Sequence, residues 1–210
     1  MTLYGLTHYG LSGDRGYLSQ AEIEEITLPA DFAQVENAAA RLSGLVTTGR
    51  IRRWLKDLPV PDMDRFLGEA TDAQISLAMV RYAFLVQAHV WGEPTPPEML
   101  PANLAVPFVA LADRIGVPPV MNYADYILDN WCRLDRAGSI EIGNVMQVQR
   151  FAGGLDEEWF VQIHVAIEAT AGRGLEVAGE PIRASDAGGA AAGRPMRTGR
   201  GGGGERSKPC

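Results

Sequence analysis

Residues 71–92, TDAQISLAMVRYAFLVQAHVWG, decide the fold. From Ile75 to Trp91 the stretch is apolar on nearly every side, and a helix of that kind belongs at the centre of a domain. Arg81, Gln87 and His89 interrupt it, and it falls short of the about twenty clean apolar residues that a membrane span requires. It therefore reads as a buried core helix, and no membrane partner is expected. Thr71 and Gln74 stand in capping-box spacing and set its start.

Toward the N-terminus, Asp31 is placed to cap a helix whose apolar side is Phe32, Val35, Ala38, Ala39, Leu42 and Leu45. Gly49 closes it, and RIRRWLKDLP (50–59) adds a short helix before Pro59 and Pro61. Toward the C-terminus, LAVPFVALADRIG (104–116) is a helix with Pro107 in its first turn and Gly116 as its stop. Asn122 then caps a helix in which Tyr123, Tyr126, Ile127, Asn130, Trp131 and Leu134 share a face. A helix over about 141–151 follows, and another starts at Asp156. No segment alternates with a period of two, so the chain is expected to be all-α.

Hydrophobic residues make up 46% of the 210 and charged residues 21%, enough apolar material for a real core. The net charge of −7 argues against nucleic acid as a partner. Cys132 and Cys210 form neither a disulfide framework nor a metal-ligand spacing, and MTLYGLTHYG is no secretory signal, so the cytoplasm is expected. His8, His89 and His164 share no ligand spacing; His89 reads as a hydrogen-bonded core residue and His164 as a packed imidazole. Asp156, Glu157 and Glu158 read as helix N-terminal carboxylates. LSGDRG (11–16) follows no strand and precedes no helix, which makes a phosphate loop a poor reading. From the residues alone, no chemistry follows.

Three blocks carry a resemblance. QAHVWGE (87–93), LPANLAVPFVALADRIGVPPVMNYADYILDNW (100–131) and GGLDEEWFVQIHVAIEA (153–169) resemble the indoleamine 2,3-dioxygenase family in its bacterial form. RGYLS (15–19) and SGLVTTGRIRRWL (43–55) look like that family's N-terminal region, and the resemblance covers roughly residues 9–171. It implies an all-helical enzyme, with a small domain packed on a larger one and haem b between them. The reaction implied is insertion of both atoms of dioxygen across the indole 2,3 bond of L-tryptophan, giving N-formylkynurenine. The iron centre carries the hard chemistry, and the protein supplies orientation and a dry site.

By that resemblance, Tyr123 matches a pocket tyrosine, and Tyr126 with Ile127 the next lining pair. Trp159 and Phe160 match the aromatic pair that packs on the substrate ring. Gln162 or Ile163 stands where some members carry a serine. His89 stands where a tyrosine is expected. The family's proximal histidine has no counterpart, so no catalytic residue and no metal ligand are assigned; His164 is the one local substitute for the missing ligand. Expected boundaries are a small helical domain over 1–140, the start of the haem-binding domain over 141–171, and a disordered Gly/Ala/Arg/Pro-rich tail over 172–210. Such a tail is what a shifted reading frame in GC-rich DNA would encode, and a chain of this kind is expected to be inactive alone. Two other functions compete: a non-catalytic helical interaction module, and a related haem enzyme acting on another indole.

Overall fold

The computed structural model describes residues 10–189, with side chains as far as residue 178 apart from that of Glu24. Its centre is α5 (Asp72–Trp91), where twelve of twenty residues are buried. The Thr71–Gln74 capping box forms as expected, with each side chain meeting the other residue's backbone N–H. Around it pack α1 (Ala33–Ala40), α2 (Leu42–Thr47), α3 (Ile51–Leu55) and α6 (Ala102–Ile115), while α4 (Met63–Glu69) packs on α6. Their apolar sides form one core with Phe32, Val35, Leu42, Ile51, Leu55 and Phe108. Asp31 does not cap α1. A 3-10 turn over Ala30–Phe32 intervenes, and the Asp31 carboxylate instead pairs with Arg65 at 2.9 Å.

Gly116 ends α6 in the left-handed region at φ +84°, its N–H reaching the Ala112 carbonyl. Pro107 is the sixth residue of α6, one turn later than expected. The Asn103 side chain meanwhile ties the helix start to the Leu55 and Leu58 carbonyls.

The long helix expected after Asn122 is one π turn, Ala124–Leu128. Asn122 Oδ1 accepts the Ala124 N–H at 2.8 Å, as a cap should, but the chain then leaves the helix. Trp131–Arg133 is a strand, β1, paired antiparallel with β2 (Val145–Gln147), which occupies the place of the expected helix 141–151. Asn130 extends the ladder with its side chain: it accepts from Gln149 N–H at 2.7 Å and donates to the Gln149 carbonyl at 2.8 Å. Trp131 is fully buried, but Leu134, expected beside it, is 65% exposed, because a strand sends it where a helix would not. Residue 140, the expected domain boundary, lies in the connection between these paired strands.

The last element, α7, runs from Leu155 to Gly189. Its inner side places Val161, Val165 and Ala169 against Leu18, Ile127, Trp131 and Val145, a second core. The helix does not stop at Ala171: residues 172–189, expected to be unstructured, continue it, and residues 190–210 of the expected tail lie outside the described residues. Gly172 is buried because the loop 12–16 crosses α7 there. A Cβ on Gly172 would meet the Ser12 and Gly13 carbonyls, and one on Gly16 (φ +60°) would collide with the Glu168 carbonyl.

Candidate functional site

The π turn and the first half of α7 bring most of the aromatic candidates together. Phe84 of α5 stacks on Phe151 (centroids 4.3 Å) and Tyr126 (5.7 Å), and Tyr126 leans on Phe160 (5.9 Å). Phe160 in turn covers the His164 ring at 4.2 Å, and Tyr123 meets that imidazole edge-on at 6.1 Å. The series runs from the core to the surface: Phe84 is fully buried, whereas Phe160 is 47% and Tyr123 44% exposed. Trp159 (54%) and Ile167 (55%) widen the open face. Spacing of i, i+3, i+4 and i+8 from residue 159 along α7 gathers Trp159, Gln162, Ile163 and Ile167 on adjoining sides of the helix.

The polar groups are arranged around this face. Tyr123 Oη donates to Glu168 Oε1 at 3.0 Å, and burial together with that carboxylate pushes the phenol up to about 12. His164 Nδ1 lies 2.7 Å from the Phe160 carbonyl, so as a donor there it keeps Nε2 free as an acceptor. Gln162 Nε2 donates to Glu158 Oε1 at 3.1 Å, and Gln162 and Ile163 are half-buried. Ile127 turns the other way and is wholly buried in the second core.

Several working groups escaped the sequence. Glu157 accepts the N–H groups of Phe151, Ala152 and Gly153 at 2.7–3.0 Å, and so fixes the loop that carries Phe151. Glu158 accepts the Gln147 N–H and pairs with Arg150 at 2.6 Å, joining β2 to α7. These carboxylates are clamps as well as helix N-terminal charges. On the π turn, Asp125 is pushed up to about 6 by burial, against the bond it accepts from the Asn122 N–H. Asp129 is likewise pushed up to about 6, by burial and then by the Asp125 charge. Only the i, i+4 spacing of the two aspartates could have signalled this.

His89 is buried as expected, but its Nδ1 has no hydrogen-bond partner among the described residues; its carbonyl accepts from Arg52 Nε at 2.8 Å. Burial, then Arg52, lowers its pKa. His8 lies outside the described residues. Among those described, no three His, Cys, Asp or Glu side chains gather as a metal centre, and no helix is long and apolar enough to cross a membrane.

The geometry defines a helical unit with one open aromatic face, and the comparisons give it a family. The family model for indoleamine 2,3-dioxygenase matches residues 5–193, and the chain belongs to that family. The match extends past Ala171, where the likeness was expected to end. Human indoleamine 2,3-dioxygenase 2 is 30% identical over 173 residues, which is 81% of this chain and 41% of that one. The Saccharomyces cerevisiae indoleamine 2,3-dioxygenase is 27% identical over 194 residues (87% and 41%), and a myoglobin of Haliotis diversicolor is 29% identical over 173 (81% and 43%). The chain thus spans about two fifths of the length of these relatives.

Proposed function

We propose that this chain supplies the substrate-side wall of a haem-dependent dioxygenase that opens the indole ring of L-tryptophan with dioxygen to give N-formylkynurenine, or that of a related indole to give the corresponding formylamino ketone. The observation that carries the reading is the aromatic series from Phe84 to Tyr123, which ends on an open face. That face fits one side of a flat apolar group: Phe160 and Trp159 offer ring surface, and Tyr126 closes the inner end. Haem b, when bound, supplies the oxygen chemistry. The residues of this chain would hold the indole ring against it and keep water from the inner end of the cleft.

In this reading Tyr123, Tyr126, Trp159, Phe160, Gln162 and Ile163 line the pocket. Ile127 supports the π turn from behind, since it is buried in the second core. Tyr123 donates toward Glu168 and remains a neutral phenol at neutral pH, able to hold a polar substrate group. Among the described residues His164 is the iron-ligand candidate, through Nε2. The division into a small helical unit and the beginning of a larger, haem-binding one belongs to the same reading, with the β1–β2 hairpin as the joint. A cytoplasmic setting is supported by cysteine usage that gives no disulfide framework.

The test is haem titration of the 210-residue chain, read by the Soret band and by quenching of tryptophan fluorescence. One wall with a single candidate ligand, His164, should give modest affinity, and Phe160→Ala together with Trp159→Ala should abolish it, while Trp91→Ala should not. Haem binding indifferent to the first pair would overturn this placement of the face. A sharp stoichiometric band that survives His164→Ala, with N-formylkynurenine formed from L-tryptophan, would overturn the one-wall reading.

A second reading rests on the extent of the open surface. Leu155 and Ile167 carry the exposed apolar strip of α7 beyond the aromatic series, as an interaction module would. Haem-independent association abolished by Ile167→Glu would favour it.

A further inference from the structure

Eight arginines of the described chain stand within ion-pair distance of a carboxylate, for example Arg52 with Glu93 at 3.6 Å and Arg81 with Glu36 at 2.9 Å. In a chain of net charge −7 that is the expected fate of a guanidinium. Four described arginines depart from it, Arg41, Arg50, Arg53 and Arg173, and of these Arg50 and Arg53 stand together. Neither forms an ion pair with a described residue, and both line one recess of about 600 Å³ with Leu45, Thr48 and Trp54. No carboxylate of the described residues lines it.

The recess is built by the turn between α2 and α3. Gly49 takes φ +64° and its N–H reaches the Val46 carbonyl at 3.0 Å, which reverses the chain. The Thr48 hydroxyl donates to the Leu45 carbonyl at 2.9 Å and fixes the same turn. Arg50, the residue just before α3, and Arg53 within it line the same recess. Trp54 is half-buried and packs on the main core, so its indole is a fixed wall.

Two guanidiniums without a carboxylate partner select an anion, and their planar forks match a carboxylate. An indole wall with Leu45 beside it selects a flat apolar body. A recess of this volume suits a one- or two-ring molecule. A free α-ammonium group would lie against the same guanidiniums and be repelled, so an amino acid is disfavoured. No residue of the recess belongs to the aromatic face described above.

We propose that the α2–α3 turn binds a small aromatic carboxylate lacking an adjacent ammonium, with the carboxylate held by Arg50 and Arg53 and the ring laid on Trp54.

The test is isothermal titration of the full chain at low ionic strength with indole-3-acetate, benzoate, L-tryptophan and inorganic phosphate. Expected is saturable 1:1 binding of the two aromatic acids and weaker binding of L-tryptophan and phosphate. Arg50→Gln and Arg53→Gln should each weaken indole-3-acetate by roughly tenfold, the loss of one charge-assisted contact. Trp54→Leu should remove the preference for aromatic acids over phosphate. Arg41→Gln, an arginine outside the recess, should change nothing. Unfolding midpoints of the variants separate lost binding from lost folding, since Arg50 and Arg53 are exposed. Phosphate binding as tight as indole-3-acetate would overturn the aromatic part of the proposal. No saturable heat, or binding unmoved by Arg53→Gln in a folded variant, would overturn it whole.

Discussion

Helices α5 and α7 are both long, and each anchors a core, but they are finished differently. Every turn of α5 from Ile75 to His89 is covered by neighbouring elements. Only one side of α7 is covered: Val161, Val165 and Ala169 are buried, while Trp159, Phe160 and Ile167 on the other side are about half exposed. The difference separates two uses of apolar surface. On α5 it stabilises the fold, and on α7 part of it stays exposed to water at a cost in hydration. Tyr126 and Phe151 connect the two, since both stack on Phe84 of α5 and Tyr126 also touches Phe160 of α7. A finished core thereby sets the position of an unfinished face.

The contrast breaks most visibly in the cores. Trp131→Ala should cost about 3–5 kcal/mol in denaturant unfolding, since the ring is fully buried and its Nε1–H is bonded to the Leu128 carbonyl at 2.9 Å. A loss below about 1 kcal/mol would mean that the second core contributes little. Gly172→Ala comes next, at about 1–3 kcal/mol, because the added methyl must push the loop 12–16 off α7. Hydrogen exchange of residues 12–18 should rise in that variant while α5 stays protected.

The pH dependence sharpens the comparison on the π turn between the two helices. Asp125 and Asp129 sit at about 6 in the folded protein, above the ordinary aspartate value, so the folded state holds their protons more tightly than the unfolded state does. Their contribution to stability therefore falls as pH rises from about 4 to about 6 and is flat above. Acidification from pH 7 to pH 5 should raise the unfolding midpoint. Asp129→Asn should raise stability at pH 7 by roughly 1–2 kcal/mol and flatten that slope. An unchanged slope would remove Asp129 from the pair. The smallest effect belongs to the open face: Phe160→Ala should cost less than about 1 kcal/mol. A core-sized loss there would show that the face is structural after all.

How much of this was legible follows from element length. A run of twenty residues gives its periodicity and its caps plainly, and α5, with its Thr71–Gln74 box, was readable outright. Gly116 ended α6 for the expected reason, the absence of a Cβ at positive φ. Strands of three residues are too short to show alternation, so β1 and β2 were read as helix. Tyr123, Tyr126 and Trp131 looked like one helical stripe; they are the residue before a π turn, one residue within it and one of a strand. The gathering of Tyr123, Tyr126 and Phe160 came from the family resemblance, because nothing in their spacing brings residue 126 to residue 160. Gly172 misled for a local reason. Its missing side chain looked like filler, and it is a contact with a segment more than 150 positions earlier in the sequence.

That last contact bears on how the molecule is made. The loop at residues 12–16 leaves a ribosome early, but its seat on α7 is not complete until residue 172 has followed. Leu18 waits as long for Val165 and Ala169. During synthesis the first core can close around α5 while residues 12–18 still lack their seat on α7. Closing so long a loop adds entropy cost and slows the search. The second core should therefore be the late step of folding, and residues 12–18 the last of it to find their place.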